Sequence, residues 1–119
     1  MAYKILIAGH RPEFRQFLHN VLSSNEEFEV VGEADGAQQA CEMARENKAA
    51  LLILDMDINR DFEKLKTFGA NCPGLKVILT SYYDFNEYAE IAKKFNSVAF
   101  ISKTRLSTKF ILDILKAKN

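Results

Sequence analysis

Five short apolar runs, each followed by a segment of helical period, predict an α/β fold in which one parallel sheet is covered by helices on both faces. Three observations carry this reading. Runs and helical segments alternate strictly in units of about 24 residues, the pattern of repeated βα crossovers. The third run, Ala49-Ala50-Leu51-Leu52-Ile53-Leu54, is wholly apolar, as a central strand buried on both faces requires. Gly69, Pro73 and Gly74 punctuate a loop between units. No linker, repeat or low-complexity stretch divides the 119 residues, so residues 1–119 are expected to form a single domain.

The first strand is expected over residues 4–8. A helix over 12–24 follows, with Pro12 in its first turn, where a missing N–H costs nothing. Phe14, Phe17, Leu18, Val21 and Leu22 recur on one face of that helix. The second unit pairs a strand over 28–34 with a helix over 36–47 that turns Ala37, Ala40, Cys41 and Ala44 inward. The third strand covers 50–54 and leads into a helix over 60–68, with Phe62 and Leu65 in the core. The fourth unit pairs a strand over 75–81 with a helix over 85–95 that buries Tyr88, Ile91, Ala92 and Phe95. Asn96 suits a left-handed cap after it. The fifth strand spans 98–102, and Ser107 caps a last helix that buries Phe110, Ile111, Ile114 and Leu115.

Sixteen basic residues balance sixteen acidic ones. A net charge of zero supplies no long-range attraction to nucleic acid or to an anionic membrane, so direct binding to either is not expected. No apolar run approaches the roughly 20 residues of a membrane helix, and the start lacks a signal-peptide core. Cys41 and Cys72 show no metal-binding or redox spacing, and Cys41, on an apolar helix face, is expected to be a buried reduced thiol. These features together predict a cytoplasmic protein.

Open parallel sheets bind ligands beyond the carboxyl ends of their strands. Those ends carry Gly9 and His10, Asp55, Thr80 with Ser81, and Lys103. A carboxylate, a hydroxyl and an ammonium from different strands form a set that can hold a phosphoryl group.

At these residues the chain resembles the response-regulator receiver domain, the CheY-like family. The matching stretches are Lys4-Ile-Leu-Ile-Ala8, Arg11-Pro12 with Phe14-Arg15, Val30-Val-Gly-Glu-Ala-Asp-Gly36, Leu52-Ile-Leu-Asp55, Lys76-Val-Ile-Leu-Thr80 and Ala99-Phe-Ile-Ser-Lys103. They span all five units, and the Val-Val-Gly-Glu-Ala segment is most similar to receivers that precede a helix-turn-helix output domain. The resemblance implies a (βα)5 three-layer sandwich, flavodoxin-like, with strand order 2-1-3-4-5. It implies a non-enzymatic role in two-component phosphorelay signalling, with a sensor histidine kinase or a downstream regulator as partner. It places Asp55 at the phosphoacceptor position, Thr80 and Phe100 at the switch positions, and Lys103 at the phosphate-pairing lysine. Magnesium is the cofactor it implies, with Asp55 and the Asp57 carbonyl as ligands.

The family ends its first strand with two acidic residues, where this chain has Gly9 and His10. Asn59, Arg60 and Asp61 also stand where the family carries proline and glycines. A neutral imidazole is a poor magnesium ligand, so a degenerate receiver acting through partner binding is the leading expectation. Two substitutes for the missing charge remain open: His10 or Arg11 beside Asp55, or Asp57 or Asp61 as a replacement ligand. An exposed loop histidine is the plainer reading of His10, and His19 is expected to be a helix-surface residue without a role. The alternatives are a magnesium-dependent receiver with altered ligands and a small-molecule-binding flavodoxin-like module. The latter is weakened by a first loop, Ala8-Gly9-His10-Arg11-Pro12, that holds one glycine. The resemblance puts a partner or homodimer face on the fourth helix, fifth strand and last helix, where Tyr82, Tyr83 and Phe85 supply aromatic anchors.

Overall fold

The computed structural model describes residues 2–55, 72, 74–81 and 98–117. Its elements run β1 (Tyr3–Ala8), α1 (Pro12–Ser23), β2 (Phe28–Ala34), α2 (Ala37–Asn47), β3 (Leu51–Asp55), β4 (Lys76–Ser81), β5 (Val98–Ser102), a 3-10 turn (Lys103–Arg105) and a third described helix, α3 (Thr108–Lys116). The strands form one sheet in the order β2-β1-β3-β4-β5, and every neighbouring pair is parallel. This is the expected (βα)5 topology, with boundaries within a residue of the expected ones. The expected helices over 60–68 and 85–95, with Phe62, Leu65, Tyr88, Ile91, Ala92 and Phe95, lie outside the described residues. So do Asn96, Tyr82, Tyr83 and Phe85.

Strand alternation sorts the core into two layers. Leu6, Ala8, Leu52, Leu54, Val77 and Leu79 pack with Ala37, Ala40, Cys41 and Ala44 of α2 on one face. Ile5, Ile7, Leu51, Ile53 and Ile78 pack with Phe14, Leu18 and Leu22 of α1, and with Ile111 and Leu115 of α3, on the other. Each large side chain buried this way contributes about 1.5–3 kcal/mol, so both layers hold the sheet firmly.

Phe17 departs from the expected inward face: it is 61% exposed. The buried stripe of α1 is Phe14, Leu18 and Leu22, which advances by 40° per step at 100° per residue. Phe17 lies about 100° from the centre of that stripe, on the solvent side. Val21, closer to the stripe, is half-buried.

Two tertiary links were not expected. Cys41 is no free thiol, because it forms a disulfide with Cys72 just before β4. Lys76, at the start of β4, extends its ammonium to the carbonyls of Ile114 (2.8 Å), Leu115 (3.2 Å) and Ala117 (2.7 Å). One cation thereby satisfies carbonyls that the end of α3 leaves without helical partners, and it complements the helix dipole. At the other end of α3, Ser107 accepts a hydrogen bond from the Phe110 amide at 3.1 Å, as the sequence predicts.

Candidate functional site

Sheet register assembles the strand ends. Ala8 pairs with Leu54, Asp55 with Thr80, and Ser81 with Ser102, so Gly9, Asp55, Thr80 and Lys103 end up side by side. By alternation from Ile53 and Ile78, Asp55 and Thr80 project to the face covered by α1.

Lys103 Nζ lies 2.8 Å from Asp55 Oδ1, with side chains only 4% and 10% exposed. Its ammonium also sits 4.3 Å from the ring centroid of Phe14, in the first turn of α1. An aromatic face and a carboxylate thus share one largely desolvated cation, a geometry in which both attractions exceed their surface values. Thr80 is fully buried, and among the described residues its hydroxyl has no hydrogen-bond partner. That orphaned hydroxyl beside the Asp55–Lys103 pair leaves the site one donor ready for an oxygen-rich anion.

Gly9 is the close neighbour of Asp55 on the β1 side. A Cβ built on it would lie 2.6 Å from Asp55 Cβ, and its φ of +156° disfavours an L side chain. Its backbone is held at both ends, by the Gly9 amide donating to Ala34 O (3.0 Å) and by Arg15 Nη1 donating to Gly9 O (2.5 Å).

His10 is not an exposed loop histidine. Its side chain is 16% exposed, with Nδ1 3.7 Å from Asp35 Oδ1. Its ring packs against Gly36, where an added Cβ would lie 2.8 Å from His10 Cε1. Arg15 Nε reaches Glu33 Oε1 at 3.4 Å and Arg15 Nη1 reaches Asp35 Oδ1 at 3.8 Å, while His19 Nδ1 lies 3.2 Å from Glu33 Oε2. His19 thus sits at the surface of α1, as expected, within hydrogen-bond distance of Glu33.

Phe100 lies on the other face of the sheet. It pairs with Leu79 and packs half-buried against the α2-side layer, across the sheet from Asp55 and Thr80. Asp57 and Asp61 lie outside the described residues. Sequence reasoning placed Phe14 in the core and gave neither Phe14 nor Arg15 a part in the site. The available signal was their place in the first turns of α1, which begins just after β1.

No group of three His, Cys, Asp or Glu side chains suited to a metal ion occurs among the described residues. Among them, no helix is long and apolar enough to cross a membrane.

A model of the response regulator receiver domain matches residues 5–114. The chain is 32% identical to the response regulator protein VraR of Staphylococcus saprophyticus over 90 residues, covering 73% of this chain and 43% of that protein. It spans about half the length of the curated relatives it matches. Among solved structures, the signal receiver domain of the putative response regulator NarL from Mycobacterium tuberculosis superposes with a TM-score of 0.85 at 21% identity, covering 98% of each chain. A DNA-binding response regulator of the LuxR family from Staphylococcus aureus superposes at 0.82 with 22% identity, covering 96% of this chain and 99% of that one.

Proposed function

This chain belongs to the response regulator receiver domain family, and from that premise we propose that it is a cytoplasmic, degenerate receiver, acting through a protein partner with magnesium-dependent phosphorylation at Asp55 impaired. Receivers of this family are signalling modules rather than enzymes. The observation that carries the proposal is the unequal environment of Asp55: a buried ammonium at 2.8 Å on one side, and a glycine with no side-chain oxygen on the other.

Magnesium calls for hard oxygen ligands in near-octahedral geometry. Neither Gly9 nor the His10 imidazole supplies one, and one Asp55 oxygen is engaged by Lys103. The described residues therefore do not fit the ion. A single charge pair at 4 Å is worth about 4 kcal/mol at an effective dielectric of 20. Millimolar affinity totals about the same, so losing an acidic pair removes useful binding. Asp55 keeps the phosphoacceptor position, with Thr80 and Lys103 as its phosphate-contact residues and Phe100 as the second switch position.

The partner is a sensor histidine kinase or a downstream regulator, and a homodimer through β5 and α3 is the second mode of association. The test is incubation with a small phosphodonor and magnesium, read by intact mass. No Asp55-dependent phosphate adduct is expected. An adduct lost in Asp55→Asn would sink the degenerate reading.

One observation favours a second reading, a magnesium-dependent receiver with altered ligands. The buried Thr80 hydroxyl has no partner among the described residues, as expected of a donor reserved for a phosphoryl oxygen. That reading predicts amide shifts around Asp55, Thr80 and Lys103 with magnesium and beryllofluoride, and their absence rules it out.

A further inference from the structure

Cys41 and Cys72 stand 31 residues apart, yet their Cα atoms lie 6.5 Å apart and their sulfurs are bonded. The bond ties the middle of α2 to the chain entering β4, and the loop it closes contains all of β3, including Asp55. Both cysteines are buried, Cys41 at 7% and Cys72 at 6% exposure. A cavity of about 340 Å³ is lined by Cys72 but not by Cys41. Ala44, Ala49 and Leu75 give that cavity apolar walls, and Arg45 and Lys48 place two exposed cations on its wall. No acidic side chain lines it among the described residues. It lies where α2 ends and β4 begins, at the end of the sheet opposite Asp55.

A thiolate attacks the disulfide sulfur it can reach, and cations nearby both attract an anionic thiol and favour its thiolate form. We propose that Cys41–Cys72 is an exchangeable disulfide, and that the cavity beside Cys72 receives a small anionic thiol of the glutathione class. The incoming thiolate sulfur forms a bond to Cys72 Sγ as the Cys41–Cys72 bond breaks. The bonding pair leaves on Cys41 Sγ, which takes a proton from water. A second thiol attacks the ligand sulfur of the mixed disulfide and releases Cys72 as a thiol. In sum, one protein disulfide and two small thiols become two protein thiols and one small disulfide, a two-electron reduction of the protein. Glutathione disulfide drives the reverse. Reduction opens the loop around β3 and frees α2 from the segment entering β4, so the redox state reaches the strand that carries Asp55. This site is independent of the partner-binding reading, because neither cysteine belongs to the strand-end cluster.

The full chain is equilibrated with excess glutathione disulfide, denatured and alkylated, then analysed by intact mass. Uptake of no alkyl group is expected, and uptake of two after equilibration with glutathione. Two alkylatable thiols under both conditions would overturn the proposal. Cys41→Ser is expected to trap glutathione on Cys72, and a folded variant that stays unmodified would contradict it. The surface variant Arg45→Glu/Lys48→Glu leaves both cysteines in place. Its reduction by glutathione is expected to slow about fivefold or more, while reduction by 2-mercaptoethanol, which carries no charge besides its thiolate, slows by less. Equal effects on the two thiols would remove the cavity as the thiol site.

Discussion

The carboxyl ends of β3, β4 and β5 and the carboxyl end of β1 border the same site and are built on opposite plans. On the first side, charge is buried and paired: Asp55 meets Lys103 at 2.8 Å, Phe14 backs the ammonium at 4.3 Å, and Thr80 adds a buried hydroxyl. On the β1 side there is no charge on Gly9, and His10 and Arg15 direct their cationic or polar ends to Asp35 and Glu33 of the β2 edge. The half built on Asp55, Lys103 and Thr80 is held by packing and charge pairing. The β1 half carries a glycine and an imidazole rather than carboxylates, which under the proposed reading leaves no hard-oxygen ligand set for a metal there.

The largest effect is expected from Lys103→Met. It leaves the Asp55 carboxylate buried without its partner, which costs about 3–5 kcal/mol. Urea unfolding should show this as a lower midpoint at unchanged slope. Asp55→Asn should also destabilise, and the double variant should lose less than the sum of the two singles. A site crowded with several carboxylates would instead gain stability on losing one, so the sign for Asp55→Asn separates the two plans.

Gly9→Asp probes the other side. Its Cβ would fall 2.6 Å from Asp55 Cβ at an unfavourable φ, and a second carboxylate would join the first. A loss of about 2–4 kcal/mol is expected by the same unfolding measurement. Little or no loss would mean that the β1 end yields readily and that the acidic position was not closed off.

Away from the site, Lys76→Met removes the cation on three carbonyls at the end of α3 and should cost about 1–2 kcal/mol. Ser107→Ala removes the cap at the start of the same helix and should cost about 1 kcal/mol, seen in thermal unfolding. Thr80→Val is expected to be the mildest. It deletes a buried hydroxyl that has no partner among the described residues, so stability should hold within about 0.5 kcal/mol or rise.

The strands, α1, α2 and the Ser107 cap were legible because each depends on local period and local hydrogen bonding. Asp55, Thr80 and Lys103 were legible as neighbours because parallel register aligns strand ends. Phe17 was misread because a difference of about 100° around a helix decides exposure, and the direction of the buried stripe is set by the sheet. The side of the sheet that Phe100 takes, the α2 face across from Asp55, follows from strand alternation rather than from its place in a motif. The Cys41–Cys72 bond joins residues 31 apart, a tertiary proximity that no local spacing encodes. His10 was read as a loop residue because its packing depends on Gly36 and Asp35 at the start of another unit.

The central claim is that the β1 end no longer supports metal binding while the Asp55–Lys103 half stands without it. Titration of the isotope-labelled chain with magnesium to tens of millimolar, read on backbone amides, tests it most directly. The account predicts no saturable shift at Asp55, Thr80 or Lys103. A saturable shift at those residues, abolished by Asp55→Asn in a folded variant, would contradict it.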